Sequence, residues 1–239
     1  PTRVVHPVEI LHEHRLHKSP QELESMRKAC SITHEAHVRA MRLSDAGRYE
    51  YELEAEIAQV CRRAGACGPA YSTIVGSGPN ATILHHRRND RRMNAGELVL
   101  IDAGCEFEGY ASDVTRTFPV DGQFRAEQQA VYEAVLEAQL ACIAAVKPGT
   151  TLVAIHDVAV RTLTEALVRL GVLEGEAGEL VARKAYEPFY MHQTSHWLGM
   201  DVHDAGEYKD GDEWKLLQPG MVLTIEPGCY IRPADDVPE

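Results

Sequence analysis

The chain has 239 residues, 44% of them hydrophobic, and a formal net charge of −12 at pH 7. This length and apolar content suit one large folded domain or two small ones, and they exclude a disordered or fibrous chain. The negative charge argues against nucleic acid and anionic membranes as partners, and no apolar run approaches the ~18 residues that cross a bilayer. Six cysteines without a CxxC pair predict free thiols in a reducing compartment, so we expect a cytoplasmic protein.

Two helices and a set of strands are predicted in the first half of the chain. Ser19, Pro20 and Glu22 form a capping-box signal for a helix that runs to about Leu43. A second helix is expected over residues 50–63, because Gly65 follows it as a stop signal. Apolar β-rich runs then predict four strands, over residues 71–75, 82–85, 98–102 and 110–118.

A run of arginines, Arg87, Arg88, Arg91 and Arg92, interrupts these strands. No aromatic residues are interleaved with the arginines, as they would be in a nucleic-acid site, so we interpret the run as a solvated hairpin tip. The alternative is a rim that handles an acidic substrate group. The neighbouring His86, and His156 further along, are expected to be bystanders.

The second half repeats this order. Helices are predicted over residues 125–146 and 151–170, with a further short helix over 174–185, and strands resume over 221–225 and 229–231. Two helices followed by antiparallel strands, twice over, predict a pseudo-twofold α+β domain whose strand sets join in one curved sheet. Helices would cover its outer face and leave the inner face for functional groups.

An internal repeat supports this duplication, since NAGELVLIDAGC at 94–105 aligns without a gap with QPGMVLTIEPGC at 218–229. In this alignment Asp102 falls on Glu226. An acid in a strand built for burial costs several kcal/mol unless a cation or an ion pair compensates it. Two such acids in matching halves predict a metal between them.

Asp113 and a histidine-rich segment extend this candidate metal site. Asp113 lies eleven residues after Asp102, across a short turn, so antiparallel strands can bring both carboxylates to one face. The alternative is a single buried acid that Arg116 and backbone amides satisfy. The segment MHQTSHWLGMDVHD adds three histidines but lacks the HExxH of single-zinc enzymes. The mostly oxygen donor set suits paired Mn²⁺, Co²⁺ or Fe²⁺.

The motifs together resemble the bacterial Xaa-Pro aminopeptidases (aminopeptidase P), which have the pita-bread fold. Four motifs carry the resemblance in order, from about Leu16 to the last residue: IVGSG with the following ILHH, LVLIDAGCEFEGYASDVTRTFPVDG, YMHQTSHWLGMDVHD and PGMVLTIEPGCYI. The resemblance implies hydrolysis of the N-terminal Xaa-Pro bond by a dinuclear metal centre and a metal-bridging hydroxide. The expected metal is Mn²⁺, with Co²⁺, Fe²⁺ or Zn²⁺ as alternatives, and the expected partners are peptides with proline second and further copies of the chain.

The resemblance also implies roles for individual residues. Asp102 would chelate one metal and Asp113 would bridge both, while His196 and Glu226 would hold the other. Glu226 would also pass a proton to the leaving proline nitrogen. The remaining roles concern the substrate: His203 would bond the tetrahedral intermediate, His85 and His192 would position the peptide around the proline, and Tyr71 would contribute to the pocket wall. His192 has an alternative role as a support of the His196 loop.

The sequence departs from the family pattern at both ends of the chain. We expect residues 1–15 to be the linker from a missing N-terminal domain, and residues 16–239 to be a catalytic domain truncated at its C-terminal end. The fifth family ligand, a glutamate on the next strand, has no counterpart, and Asp235 or Glu239 would serve only in an unusually short hairpin. Prolidase, methionine aminopeptidase and a metal-free binding protein of the same fold are the rival assignments.

Overall fold

Six helices and eight short strands are seen in a computed structural model that describes residues 7–232. The helices are α1 Pro7–Leu16, α2 Pro20–Leu43, α3 Glu50–Arg63, α4 Ala126–Ala145, α5 Leu152–Arg169 and α6 Ala177–Ala182. The strands are β1 Gly68–Pro69, β2 Ile74–Ser77, β3 Leu98–Ala103, β4 Cys105–Phe107, β5 Tyr110–Ala111, β6 Val114–Pro119, β7 Lys209–Asp210 and β8 Glu213–Trp214. A 3₁₀ helix covers Gly78–Thr82.

The four long helices begin and end within a residue or so of the predicted bounds. The capping box forms as expected: Ser19 Oγ accepts from Glu22 N at 3.3 Å, and Glu22 Oε2 accepts from Ser19 N at 2.6 Å. α6 is shorter than predicted. α1 is not predicted from the sequence, because residues 1–15 are expected to form a linker. Within α1, Leu16 is completely buried. The division into a linker over 1–15 and a catalytic domain over 16–239 stays a prediction.

Strand β3 carries the first half of the site. It pairs antiparallel with β2 and β6, which places Asp102 opposite Thr115. Because side chains alternate along a strand, Val99 and Ile101 are buried in a core with α2 and α3, while Asp102 lies on the other face. The alternating hydrophobic pattern of β3 therefore determines that the Asp102 side chain points away from this core.

The predicted strand over 110–118 is broken into β5 and β6 at Ser112 and Asp113. At the break, the chain passes close to Gly104, where an added Cβ would meet Ser112 O at 1.7 Å. The two segments can come this close only because Gly104 has no side chain. Ser112, the residue before Asp113, therefore lies against the end of β3.

We expect Gly104→Ala to destabilise the fold by about 1–3 kcal/mol or more, because a backbone oxygen must move to admit the new methyl group. Urea unfolding measures the loss. Gly68→Ala is the matched control, since a Cβ there meets nothing within 4 Å. Equal stability of the two variants would contradict the close contact.

The strands predicted over 82–85, 221–225 and 229–231 do not form as regular strands in the described part of the chain. Residues 221–226 instead run antiparallel to the histidine segment, where Thr224 N donates to His196 O at 3.0 Å and Glu226 N donates to Thr194 O at 2.9 Å. The bridge between Trp197 and Leu223 lies next to the first of these bonds, and Leu198 N then donates to Val222 O at 3.1 Å. The pairing brings His196 beside Glu226, although the ladders of residues 7–232 remain three separate sheets.

Two hydrophobic cores lie on either side of the site. One contains residues of α2, α3 and β3, and the other contains Cys142 of α4, Ile155 of α5 and Trp197 of the histidine segment. A smaller cluster contains Met26 of α2, Ala111 of β5 and Leu198 of the histidine segment, and Ala111 N donates to Gly199 O of that segment at 2.8 Å. No helix within residues 7–232 is long and apolar enough to span a membrane.

Part of the arginine run is ion-paired rather than free in solvent. Arg91 donates to both carboxylate oxygens of Glu97, at 2.5 and 2.6 Å. Arg92 donates to Gly47 O at 3.0 Å, and Arg87 and Arg88 are exposed. The prediction of a solvated tip therefore holds for Arg87 and Arg88 and is wrong for Arg91.

This ion pair predicts an acid-sensitive contribution to stability. The hydrogen bonds from Arg91 lower the pKa of Glu97 from 4.5 to about 2. Because the folded pKa lies below the unfolded one, the contribution is complete above about pH 4.5 and is lost as the pH falls towards 2. The difference in unfolding free energy between wild type and Glu97→Gln should shrink over that interval. Glu35→Gln, at an exposed position of α2, is the control, and a pH-independent difference for Glu97→Gln would contradict the prediction.

Candidate active site

A cavity of about 650 Å³ lies between the two halves. Six of the predicted site residues line it: His85, Asp102, His192, His196, His203 and Glu226. Two others, Tyr71 and Asp113, contact these residues but are not part of the cavity wall. The folded chain therefore brings together residues that are up to 155 positions apart.

Two carboxylates from the first half meet at Tyr71. Its hydroxyl lies within hydrogen-bond distance of Asp102 Oδ1, and 3.0 Å from Asp113 Oδ1. Burial, together with the negative charges of Asp113 and Glu226, raises the pKa of Asp102 to about 6, although the hydrogen bond from Tyr71 opposes this rise. Burial and both aspartates also hold the pKa of Tyr71 well above its ordinary value. Tyr71 thus remains a proton donor between two acids, whereas it had been predicted in the pocket wall.

The second half supplies His196 and Glu226 to the same point. His196 Nε2 lies 3.3 Å from Asp113 Oδ2 and 3.1 Å from Glu226 Oε1. Although burial opposes protonation, these two carboxylates raise the pKa of His196 to about 10. Thr224 orders this side, because its hydroxyl donates to Glu226 Oε1 at 2.7 Å and accepts from His196 N at 3.0 Å.

The other predicted histidines surround this centre. The His203 ring lies 4.0 Å from the His196 ring between centroids, and burial together with His196 lowers the pKa of His203. His192 Nε2 lies 3.0 Å from the Tyr230 hydroxyl. His85 is exposed at the cavity mouth and has a left-handed backbone, with φ of 56°.

Sequence reasoning missed several residues of the cavity. Tyr230 and Thr194 line it, and so does His156, which had been expected to be a bystander. His156 Nδ1 lies 2.8 Å from Thr194 Oγ1, and Thr194 lies two residues before His196. Tyr230 lies in the IEPGCYI motif, which could have identified it as a cavity residue. His156 lies on α5, where no sequence motif marks it.

By the chemistry of their donor atoms, the four predicted ligand residues suit a divalent cation. Three carboxylates converge, and their mutual repulsion contributes to the raised pKa of Asp102, which a cation would relieve. Proton donors, the Tyr71 hydroxyl and the His196 ring, lie between these acids. Within residues 7–232, no group of three or more His, Cys, Asp or Glu side chains has the geometry to hold a metal ion.

Two other predictions concern Arg116, as a partner of a buried acid, and the C-terminal acids, as a fifth metal ligand. Arg116 is exposed and donates to Thr115 O at 2.7 Å, so it does not support the alternative in which it satisfies Asp102. Asp235 and Glu239, considered as a fifth ligand, lie outside the described residues.

Comparisons with known proteins agree with this arrangement. A profile of metallopeptidase family M24 matches residues 24–237. A Xaa-Pro aminopeptidase of Escherichia coli K12 is 50% identical over 230 residues, which cover 96% of this chain and 52% of that protein. The human Xaa-Pro dipeptidase is 41% identical over 244 residues, covering 95% of this chain and 49% of that protein.

A solved structure of Pseudomonas aeruginosa aminopeptidase PepP matches the fold with a TM-score of 0.96 at 51% identity, covering 98% of this chain and 53% of that one. The α+β pita-bread fold and the resemblance to bacterial Xaa-Pro aminopeptidases are thereby confirmed. The chain spans about half the length of the relatives it matches.

Proposed function

This chain belongs to metallopeptidase family M24, and from that premise we propose that it supplies the catalytic site of a Xaa-Pro aminopeptidase. The proposal is carried by one observation: the carboxylates of Asp102, Asp113 and Glu226 converge with His196 at the edge of a peptide-sized cavity. The reaction is hydrolysis of the bond between a first residue and a proline in second position.

In this proposal Asp102, Asp113, His196 and Glu226 hold two divalent ions. A bound divalent pair polarises the scissile carbonyl and lowers the pKa of water. The mostly oxygen donor set favours Mn²⁺ over Zn²⁺, with Co²⁺ and Fe²⁺ as further candidates. Glu226 is placed to carry a proton, because its side chain is 38% exposed towards the cavity while Thr224 orients one of its oxygens.

The histidines act on the substrate in this proposal. His203, whose pKa is lowered by burial and by His196, can donate a hydrogen bond to an oxygen that becomes negative during hydrolysis. His192 is oriented by Tyr230 and can contact the peptide near the proline, as can His85, which lines the same cavity. Tyr71 keeps Asp102 and Asp113 in place from behind the cavity wall.

Prolidase activity is a second candidate, because the human Xaa-Pro dipeptidase is 41% identical to this chain. The two activities differ in whether the cavity admits residues beyond the proline. The exposed side chains of Ile83, Leu84 and Trp214 at its mouth favour an open cavity and therefore longer peptides. A cytoplasmic location and a homo-oligomeric state belong to the proposal as well. The described cysteines are all free thiols, as a reducing compartment would keep them.

The test is peptide hydrolysis by the full-length protein in the presence of Mn²⁺. We expect release of the first residue from Xaa-Pro-Xaa peptides and far slower release from matched Xaa-Ala-Xaa peptides. Equal rates on the two series would overturn proline specificity. Cleavage of Xaa-Pro dipeptides alone would assign the chain to prolidase, and inertness with Mn²⁺ and Co²⁺ would favour the metal-free binding protein.

A further inference from the structure

The loop over residues 78–91, called the rim loop below, forms one side of the cavity. It contributes Ala81, Ile83, Leu84 and His85 to the lining. Ile83 is 51% exposed and Leu84 is 37% exposed, and His85 is exposed too. Apolar packing of these residues therefore does not fix the loop, and another group must hold it.

Glu50 binds both ends of the rim loop. This residue is the first of α3 and is completely buried. Its carboxylate accepts from Ser77 N at 2.7 Å and from Ser77 Oγ at 2.8 Å, just before the loop. The same carboxylate accepts from Arg91 N at 3.1 Å, and Glu50 N donates to Arg91 O at 3.0 Å, at the end of the loop.

The carboxylate also reaches the middle of the loop. Asn80 Nδ2 lies 3.1 and 3.3 Å from its two oxygens, and His86 Nε2 lies 3.2 Å from Oε2. His86 is buried and directly follows His85. A fully buried carboxylate is unfavourable unless its oxygens are satisfied, and hydrogen bonds to an ionised acceptor are strong. The first turn of a helix favours its negative charge as well.

The backbone of the rim loop is strained at two positions. His85 and Asn89 have φ values of 56° and 49°, in the left-handed region that non-glycine residues rarely adopt. Such residues persist only where the surroundings over-determine them. Asn89 is held by bonds of its side chain to Thr73 O at 2.9 Å and Glu54 Oε2 at 2.7 Å. His85 is held through its neighbour His86.

We propose that Glu50 is a positioning residue of the site, which sets the rim loop as the cavity wall and thereby places His85 against the peptide. Glu50 does not touch the cavity itself, so it acts through the loop. The contact of His85 with a peptide rests on the proposed function, whereas the control of the loop by Glu50 does not.

Trypsin reports on the loop directly, because the exposed Arg87 and Arg88 lie within it. Arg183 and Lys184 are also exposed, after α6, and serve as an internal reference in the same digest. In the full-length protein, we expect Glu50→Gln to accelerate cleavage at Arg87 and Arg88 about tenfold and to leave cleavage at the reference site unchanged. Faster cleavage at both sites to the same extent would mean general unfolding and would overturn the proposal.

Peptide hydrolysis is the second measurement on the same variant. Outer groups that orient functional side chains typically change activity by about 10–100-fold, and we expect a loss of kcat/KM in that range for Glu50→Gln, chiefly through KM. Glu56→Gln is the matched control, since Glu56 is on the same helix and pairs with Arg39 at the surface. Unchanged KM with accelerated loop cleavage would overturn the positioning role.

Asn80→Ala covers the case in which Glu50→Gln does not fold. It removes the amide that reaches both oxygens of Glu50 and leaves the carboxylate in place. We expect changes in the same direction and of smaller size, and wild-type values in both assays would overturn the proposal. If the parent protein hydrolyses no Xaa-Pro peptide, the proposed function fails, and the tryptic comparison still decides the role of Glu50 in the loop.

Discussion

Asp113→Asn is expected to abolish release of the first residue from a Xaa-Pro peptide and to weaken Mn²⁺ binding. Asp113 lies at the centre of the candidate metal site, 3.0 Å from the Tyr71 hydroxyl and 3.3 Å from His196 Nε2. Asparagine keeps the size of the side chain but removes its charge and turns one acceptor into a donor. Metal ions supply several kcal/mol of charge stabilisation in the transition state, so the loss should be at least about 100-fold.

The measurements are peptide hydrolysis and titration calorimetry with Mn²⁺. Asp157→Asn is the matched control, because Asp157 is an exposed aspartate of α5. Circular dichroism of both variants establishes that they are folded. If Asp113→Asn bound Mn²⁺ like the wild type, or kept a tenth of its activity, Asp113 would not be a metal ligand.

The second large effect is expected for Asp204→Asn, which should lower the free energy of unfolding by about 3–5 kcal/mol. Asp204 and Lys18 form a buried ion pair at 3.0 Å, with side chains only 1% and 2% exposed. Arg15 also contacts Asp204, and it binds Asp201 at 2.8 Å. Removal of the Asp204 charge leaves the Lys18 ammonium buried without its partner, and a buried unpaired charge is among the costliest defects in a protein.

Urea unfolding of a double-mutant cycle measures this coupling. The double variant Lys18→Met, Asp204→Asn should regain much of the stability lost by Asp204→Asn alone, because neither charge is then buried. Glu56→Gln breaks the surface pair with Arg39 and should change stability by no more than about 1 kcal/mol. Additive losses in the cycle would show that the two side chains do not depend on each other.

The sequence predicts those parts of the molecule in which a local signal and the burial pattern agree. The capping box of Ser19 and Glu22 predicts the start of α2, and the alternation along β3 predicts that Val99 and Ile101 face the core while Asp102 faces the site. The four candidate ligands are predicted from the repeat, the spacing and the resemblance that the motifs carry. The structure brings them within hydrogen-bond distance of one another or of shared partners, and their metal-binding role stays a prediction.

The remaining features depend on contacts between residues far apart in the chain. The run over 82–85 is apolar like a strand, but Glu50, more than 30 positions earlier, draws its neighbours into a loop. The run over 221–226 pairs on one side with the histidine segment and so lacks the regular ladder that its composition predicts. The hydrophobic periodicity of the sequence does not predict either contact, because both contacts are made by single residues rather than by a repeating pattern.

The small cluster of Met26, Ala111 and Leu198 combines residues from both halves of the chain, and the candidate ligands are divided between the same halves. Asp102 follows Ile101 of one core, whereas His196 and Glu226 adjoin Trp197 and Ile225 of the other. A metal ion held by the four proposed ligands would therefore link the two halves, and a fluctuation that separates the halves would weaken all of these ligands at once.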